Sequence, residues 1–356
     1  MPKFKGPRAP ARRPTPYAEL NSVLSDLVSG AQAVLGDDFV GAYLQGSFAV
    51  GDFDEASDVD FIVAMKRDVT PTQLSGLAAL HDRLHDGESF WSRRLEGAYF
   101  PVAELRRHVA EPREPPGEPP RGPDWIDPGT GLVGPNVYPT LFLDHGSRDL
   151  QRSEHDNTCV VRWILRERGI VLAGPDPRAL LEPVTAQALR AEVRRIIRAK
   201  APVWVDESYV IDRNWLWAFF VTLGCRMLQT LETGEVRSKK AATAWGLSRL
   251  DPRWAELIQA AYAMGRDTIA VRIEPAPPER ADQAKAFLRQ VMSIEAATPE
   301  ASAADKAREV LARRLEERRG APGTPGRQLP PRGPGGRGPR GAPPAPIRPG
   351  GRGRRG

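Results

Sequence analysis

The sequence predicts an α+β protein in which a small mixed sheet flanked by helices is followed by an α-helical bundle. Two observations predict this fold class. Up to about residue 105, segments with helical spacing of apolar residues alternate with short apolar runs that are typical of strands. After residue 151 the spacing of apolar residues is almost entirely helical, as expected for a bundle.

Five elements are predicted in the first part of the chain, each for a local reason. Regular apolar spacing predicts the first helix, and runs of aliphatic and aromatic residues predict the strands. The middle strand is apolar almost throughout, as in a strand that is covered on both faces. Thr70 and Pro71 suit the N-cap and first position of a helix. In order, the elements are a helix at Tyr17–Leu35, strands at Phe39–Gln45 and Val59–Met65, a helix from Thr70 to about His85, and a strand at Leu95–Val102.

Seven helices are predicted in the second part of the chain. They cover residues 156–168, 186–200, 212–233, 238–249, 252–265, 279–296 and 302–318. In the third of them, large apolar residues from Trp215 to Leu231 form one stripe that includes Phe219 and Phe220, while Thr222 and Gln229 lie on the opposite face. We interpret the stripe as bundle core, which is the usual role of such a pattern.

Composition divides the chain into five segments. Both ends are rich in Pro and in Arg or Lys, and the C-terminal end also in Gly, so they cannot bury a core and are predicted to be disordered. The ends are basic, and residues 14–319 carry a net charge of −7 although the whole chain carries +6. The segments are a basic arm (1–16), a first domain (17–110), a proline-rich insertion or linker (111–150), a helical domain (151–319) and an Arg/Gly/Pro tail (320–356).

Composition also excludes several classes of protein. An acidic body argues against a protein that coats nucleic acid, so no nucleic-acid partner is expected. Cys159 and Cys225 are too few for a disulfide framework and are predicted to be buried free thiols. No apolar run reaches the ~18 residues that a membrane span needs, and the N-terminus lacks the apolar segment of a secretory signal. We therefore expect a cytoplasmic protein without membrane contact, and a monomer.

Two acids at the start of a predicted strand are the most informative feature of the sequence. Ser57-Asp58-Val59-Asp60 leads into the apolar strand, and strand alternation places Asp58 and Asp60 on one face. Two carboxylates repel each other by ~1 kcal/mol at 4 Å in water, and by several times more near a protein surface. A cation offsets this repulsion, and hard oxygen ligands suit Mg²⁺, whose other ligands are water and substrate phosphates.

The neighbouring predicted elements supply groups that suit the same chemistry. Gly46-Ser47 follows the preceding strand, and its backbone N–H groups and hydroxyl suit a phosphate. Glu96 lies in the next strand, from which it can reach the same face and act as general base for a hydroxyl nucleophile. Each feature alone is common, but their combination in this order indicates a functional site.

At these residues the sequence resembles the nucleotidyltransferase superfamily that includes DNA polymerase beta and the antibiotic nucleotidyltransferases. The helical part is similar to the C-terminal domain of the streptomycin/spectinomycin (aminoglycoside) adenylyltransferases. The segments that carry this likeness are Leu172-Ala-Gly-Pro175, Glu182-Pro-Val184, Cys225-Arg226, Thr233-Gly234, Ser238-Lys239, Trp245 and Ala261-Tyr262. The resemblance spans about residues 20–295 and implies a polymerase-beta-like nucleotidyltransferase sheet followed by a helical domain.

The resemblance also implies roles for individual residues. Asp58 and Asp60 would hold two Mg²⁺ ions, and Glu96 would be the catalytic base. Lys239 would reach the triphosphate from the helical domain, although Lys240 beside it is of the same type. The residues implied to contact ATP are Gly46, Ser47, Ser57, Lys239 and Tyr262.

The implied reaction is the transfer of AMP from ATP to a hydroxyl of a drug of the streptomycin/spectinomycin class, which gives resistance. The acidic body suits such a cationic small-molecule acceptor. Asp156 and Asp212 are the candidate drug contacts, although residues 212–224 do not match the family one by one. Two alternatives stay open: a nucleotidyltransferase that acts on another small molecule or on a protein, as toxin–antitoxin components do, and a nucleotide-binding module that has lost catalysis.

Overall fold

The structure is a computed structural model, and it describes residues 13–55, 57–106, 140–206, 211–267 and 269–298. Several predicted segments lie outside these ranges. They are most of the basic arm, residues 111–139 of the insertion, the helix predicted at 302–318 and the tail 320–356. What the sequence predicts for those segments stays a prediction.

A six-stranded mixed sheet forms the first part of the fold. Its strands are β1 (Phe39–Leu44), β2 (Val59–Met65), β3 (Leu95–Pro101), β4 (Leu141–Leu143), β5 (Leu150–Arg152) and β6 (Ile170–Ala173). The order across the sheet is β5-β4-β3-β2-β1-β6. The central pair β2 and β3 is parallel, and every other neighbouring pair is antiparallel. The first three strands lie where the sequence predicts them.

Three strands come from segments that the sequence analysis assigned elsewhere. β4 lies in the predicted insertion 111–150 and β5 crosses its end, while β6 lies in the segment 151–319 that was predicted to be helical. The sheet therefore extends well beyond the predicted domain 17–110. Strands of three or four residues are too short to display an alternating pattern, and their partners are distant in sequence, so local spacing does not reveal them.

The helices follow the predicted pattern closely. They are α1 (Ala18–Leu35), α2 (Gly46–Val50), α3 (Pro71–His85), α4 (Val102–Arg106), α5 (Cys159–Arg168), α6 (Ala186–Asp206), α7 (Asn214–Thr233), α8 (Lys239–Arg249), α9 (Ala255–Met264), α10 (Ile269–Arg272) and α11 (Pro278–Ala297). α3 begins at the predicted cap, because Thr70 and Gln73 exchange side-chain and backbone hydrogen bonds in a capping box. The short helices α2, α4 and α10 were not predicted.

The two faces of the sheet pack against different neighbours. Phe61 and Val63 of β2 point to a core that they share with α1 and α3. Ile62 and Ala64 point to the opposite face, where Leu165 of α5 covers them. Because side chains alternate along a strand, Asp60 shares this second face. The side chain of Asp60 at the start of β2 therefore points away from α1 and α3, to the face of the sheet that α5 covers.

The helical lobe, here α6–α11, has its own apolar core around α7. Most of the stripe predicted on α7 lies in the core, as Phe220 and Leu231 do, but Trp215 and Phe219 are 39 % and 40 % exposed while Trp217 is buried. Thr222 and Gln229, predicted on the outer face, are buried as well. The reason is that α7 packs against α6, α8, α9 and α11, so its core contact surrounds most of the helix rather than one side.

A smaller apolar cluster joins the helical lobe to the sheet lobe, which comprises β1–β6 with α1–α5. Cys159 and Ile164 of α5 meet Leu189 of α6 in this cluster, and Val50 of α2 packs against it. The described residues belong to one unit by their contacts. Both cysteines are buried free thiols, which confirms the prediction, and no helix in the described ranges is long and apolar enough to cross a membrane.

Candidate active site

Three predicted acids meet where β2 and β3 begin. Asp60 is paired in register with Glu96 on the neighbouring parallel strand, and Asp58 immediately precedes β2. Paired residues of parallel strands point to the same face, and alternation places Asp58 there too. These three residues are called the acid cluster below. Its convergence depends on the register between β2 and β3, which the sequence did not specify.

Crowding and burial change the affinity of the acid cluster for protons. Burial raises the pKa of Asp60, and the charge of Asp58 adds to the rise. Burial also raises the pKa of Glu96 well above its usual value, followed by the charges of Asp60 and Asp58. Burial acts in the same direction on Asp58, but His145 and Lys239 outweigh it and hold the pKa of Asp58 below its usual value. The raised pKa values of Asp60 and Glu96 indicate that binding a cation or a proton would lower the electrostatic free energy of the cluster.

Gly46 and Ser47, the first two residues of α2, lie directly against Asp60. Gly46 has a φ of +57°, and a Cβ there would lie 1.9 Å from a carboxylate oxygen of Asp60, so only glycine fits. The N–H of Ser47 donates to the Asp60 carboxylate, and the N–H of Gly46 donates to the Gln45 side chain. Both N–H groups expected to bind phosphate are therefore occupied. The buried Ser47 hydroxyl has no hydrogen-bond partner among the described residues and remains open to a ligand.

Ser57 is used within its own loop. Its hydroxyl accepts the N–H of Asp54 at 2.9 Å and donates to the Asp54 carboxylate at 3.1 Å. The same residue also donates its N–H to the Asp54 carbonyl oxygen. These bonds shape the turn that leads into β2. The expected contact of Ser57 with a triphosphate stays a prediction.

Cations of the helical lobe act on the acid cluster through their charges. The charge of Lys239, the first residue of α8, lowers the pKa of both Asp58 and Asp60. Arg226 of α7 is surrounded by protein, so burial lowers its pKa, and Asp60 acts against that change. Arg272 at the end of α10 acts on Asp58. The sequence singled out Lys239 for this role but not Arg272, which carries no recognisable local motif.

The loop that follows α2 ties the two lobes together beside these cations. The carboxylate of Asp52 accepts the backbone N–H of Lys240 at 2.8 Å. Arg266 lies 2.6 Å from the carboxylate of Asp54 and donates to the hydroxyl of Tyr262. Tyr262 thus lies at the junction of the lobes, where burial and then the charge of Asp52 raise its pKa. Lys240 contributes its backbone here, which separates its role from that of Lys239.

Two histidines that the predicted site did not include reach the acid cluster. Nδ1 of His145 lies 2.8 Å from Oδ1 of Asp58. Donor atoms of Asp58, Glu96 and His145 all lie within 4.8 Å of one another. Nε2 of His155 lies 3.6 Å from Oε1 of Glu96, and its ring stacks on Phe142 of β4. Both histidines flank strands β4 and β5, and without those strands the sequence offers no signal that they are near Asp58.

The two candidate drug contacts have different surroundings. Asp156 is only 7 % exposed, and burial followed by the charge of Asp60 raises its pKa to about 8. One of its carboxylate oxygens has no hydrogen-bond partner among the described residues. Asp212 is half-exposed and lies 3.8 Å from Arg213. The structure therefore brings Asp156 to the acid cluster, whereas Asp212 is not among the charges that act on it.

The helical lobe matches a known family. Residues 179–293 match the family described as "Aminoglycoside adenylyltransferase, C-terminal domain". This range contains Arg226, Lys239, Tyr262 and Arg272. A comparison with curated protein sequences gives no match.

The fold is shared with solved structures. One of them is the crystal structure of spectinomycin adenyltransferase AAD(9) from Enterococcus faecialis with ATP and spectinomycin. It is 15 % identical in sequence, the match covers 76 % of this chain and 98 % of that chain, and the TM-score is 0.53. The two comparisons confirm the predicted fold class and the predicted resemblance, and they support the prediction of a nucleotidyltransferase enzyme.

Proposed function

We propose that this protein is a Mg²⁺-dependent adenylyltransferase that transfers AMP from ATP to a hydroxyl of a streptomycin- or spectinomycin-type antibiotic. One observation carries the proposal. Three acids converge on one face of the sheet, and Lys239 faces them from a helical lobe that matches aminoglycoside adenylyltransferases. The solved relative with ATP and spectinomycin supports the choice of nucleotide and acceptor class.

The acid cluster fits divalent cations. Its donors are mainly hard carboxylate oxygens, and the raised pKa of Asp60 and of Glu96 shows that burial and mutual repulsion favour neutralisation of the cluster. Asp58 and Asp60 would hold two Mg²⁺ ions. Bound there, the ions would neutralise negative charge on the triphosphate and orient it.

Glu96 is proposed to accept the proton of the acceptor hydroxyl. Because its pKa is raised by burial and by neighbouring carboxylates, the ionised Glu96 is a stronger base than an exposed glutamate. Ser47 offers a hydroxyl next to Asp60 that has no partner among the described residues, and Lys239 offers a positive charge that acts on Asp60. These two groups are proposed to hold phosphate oxygens, with Tyr262 near the nucleotide at the lobe junction.

The acceptor is proposed to lie near Asp156. Asp156 is one of the charges that raise the pKa of Glu96, so the two residues are close, and one of its carboxylate oxygens has no hydrogen-bond partner in the described part of the chain. A cationic group of the acceptor would compensate this buried acid. Asp212 has an arginine neighbour already and is not proposed as a contact.

The test is AMP transfer from labelled ATP with Mg²⁺ and a panel of drugs that includes streptomycin and spectinomycin. The expected result is that each drug the enzyme accepts becomes labelled with AMP, and that pyrophosphate is released. If the label appears on a different small molecule or on a protein, that molecule is the acceptor and the proposed antibiotic class is wrong. The absence of AMP transfer to any of them, with ATP binding intact, would instead favour a binding module.

The two adjacent lysines give a matched pair of variants. Lys239→Ala should weaken ATP binding about tenfold or more, because a charge-assisted contact contributes about 1.5–3 kcal/mol. Lys240→Ala should change ATP binding little, since Lys240 uses its backbone N–H to bind Asp52. Calorimetric titration with ATP measures both. Equal losses in the two variants would contradict the role proposed for Lys239.

A further inference from the structure

We infer that His145 is a metal ligand together with Asp58, and that this nitrogen donor raises the affinity of the site for Co²⁺ or Zn²⁺ relative to Mg²⁺. The inference rests on the proposed use of a divalent metal by the acid cluster. It adds a residue, and with it a metal selectivity, that neither the sequence pattern nor the comparisons assign.

Sheet topology is what places His145 beside the acid cluster. β4 runs antiparallel to β3, with Leu143 opposite Gly97. The chain that continues from β4 must therefore pass next to Glu96, the residue that precedes Gly97. His145 follows Leu143 by two residues, and its Nδ1 lies 2.8 Å from Oδ1 of Asp58, the residue that precedes β2. Its position is thus a consequence of regular strand pairing.

The geometry of His145 suits a ligand better than a plain ion pair. Nδ1 is shielded from solvent and lies 2.8 Å from Oδ1 of Asp58, yet it has no hydrogen-bond partner of good geometry among the described residues. A donor atom of Glu96 also lies within 4.8 Å of that nitrogen. A nitrogen and a carboxylate oxygen that lie this close, with a further carboxylate oxygen nearby, can direct their lone pairs to a common cation.

The donor chemistry determines which cation is favoured. The carboxylates of Asp58 and Asp60 balance the charge of a divalent ion, and the neutral imidazole of His145 adds a borderline nitrogen donor. Imidazole nitrogen suits Zn²⁺, Co²⁺ and similar transition metals, whereas Mg²⁺ prefers oxygen ligands throughout. A set of two carboxylates and one imidazole therefore binds Mg²⁺ through its oxygens, and gains affinity for transition metals from the additional Nδ1 ligand.

The experiment compares the full-length protein with His145→Ala and with His85→Ala as a control. His85 lies on α3 near Asp86 and Arg148, outside the metal-binding group. Mn²⁺ bound to each protein is examined by electron spin echo envelope modulation, which detects a directly coordinated histidine nitrogen. Calorimetric titration with Co²⁺ and with Mg²⁺ gives the ratio of the two affinities.

The expected result is a histidine nitrogen signal in the wild type and in His85→Ala but not in His145→Ala. The Co²⁺ affinity should fall by roughly tenfold or more in His145→Ala, while the Mg²⁺ affinity changes much less. A nitrogen signal that persists in His145→Ala, or an unchanged ratio of Co²⁺ to Mg²⁺ affinity, would overturn the inference. If His145→Ala does not fold, His145→Gln, which keeps a polar side chain, serves in the same measurements.

The outcome separates this inference from the proposed function. AMP transfer with Mg²⁺ in the absence of any nitrogen signal would leave the proposed function standing and reject the role of His145. A His145-dependent signal in a protein that transfers AMP to no acceptor would do the reverse.

Discussion

Carboxylates in the two lobes of this protein have opposite surroundings. In the helical lobe, Glu295 of α11 is 2 % exposed and is matched by arginines. Nε of Arg198 donates to both of its oxygens, at 3.1 and 3.2 Å, and Nε of Arg194 lies 3.8 Å away. In the sheet lobe, Asp60 and Glu96 have other carboxylates among their neighbours, and the pKa of each is raised.

The contrast separates a carboxylate that stabilises the fold from carboxylates that are proposed to serve a site. A buried charge that only holds helices together needs its counter-charges in the protein, because an unpaired one is costly. The acid cluster keeps a repulsion that the protein does not fully neutralise, and such an arrangement is typical of a site that binds cations. The three predictions that follow test this difference, beginning with the largest effect.

Asp60→Asn should reduce AMP transfer by at least about a hundredfold, because it removes a charged oxygen at the centre of the proposed metal site. The same change should leave the midpoint of thermal unfolding unchanged or raise it, since one of several mutually repelling acids is neutralised. Steady-state kinetics and a thermal melt in the presence of a chelator measure the two effects. A variant that transfers AMP normally would remove Asp60 from the proposed site.

Glu295→Gln should have the opposite signature. The free energy of unfolding should fall by about 3 kcal/mol, because Arg198 and Arg194 then lose their buried counter-charge. AMP transfer per folded molecule should not change. Urea unfolding measures the stability, with Glu256→Gln as the control. Glu256 lies 2.6 Å from Arg280 at the surface, where solvent screens the pair, so its loss should have a far smaller effect.

Asp156→Asn should change the pH dependence of stability. Burial raises the pKa of Asp156 to about 8, so the folded chain retains a proton that the unfolded chain loses above about pH 4. The stabilisation from this proton is complete below that pH and is lost as the pH rises to about 8. The stability of the variant relative to the wild type should therefore rise between pH 4 and 8 and level off above.

Urea unfolding in the presence of a chelator, repeated across this pH range, measures the Asp156 effect. A constant stability difference between the variant and the wild type at all pH values would show that Asp156 is not a buried, protonated acid in the folded protein.

Much of the site could be predicted where its cause is local. Strand alternation places Asp58 and Asp60 on one face, and the Thr70 cap sets the start of α3, and neither depends on distant residues. The α7 stripe shows the limit of such reasoning. Its apolar residues were recognised, but Trp215 was expected in the core, because a helix surrounded by four others cannot be oriented from its own pattern.

The sequence alone was enough for the fold class and for the placement of Asp58 and Asp60 on one face, because these follow from spacing within single segments. The family likeness of the helical part came from its motifs. Tertiary structure was needed for the rest. It paired β4 with β3 and so brought His145 to Asp58, brought Asp156 but not Asp212 to the cluster, and gave Lys239 and Lys240 different partners. Pairings between distant segments depend on how whole elements pack. A three-residue strand has too short a pattern of apolar and polar residues to predict which strand it pairs with.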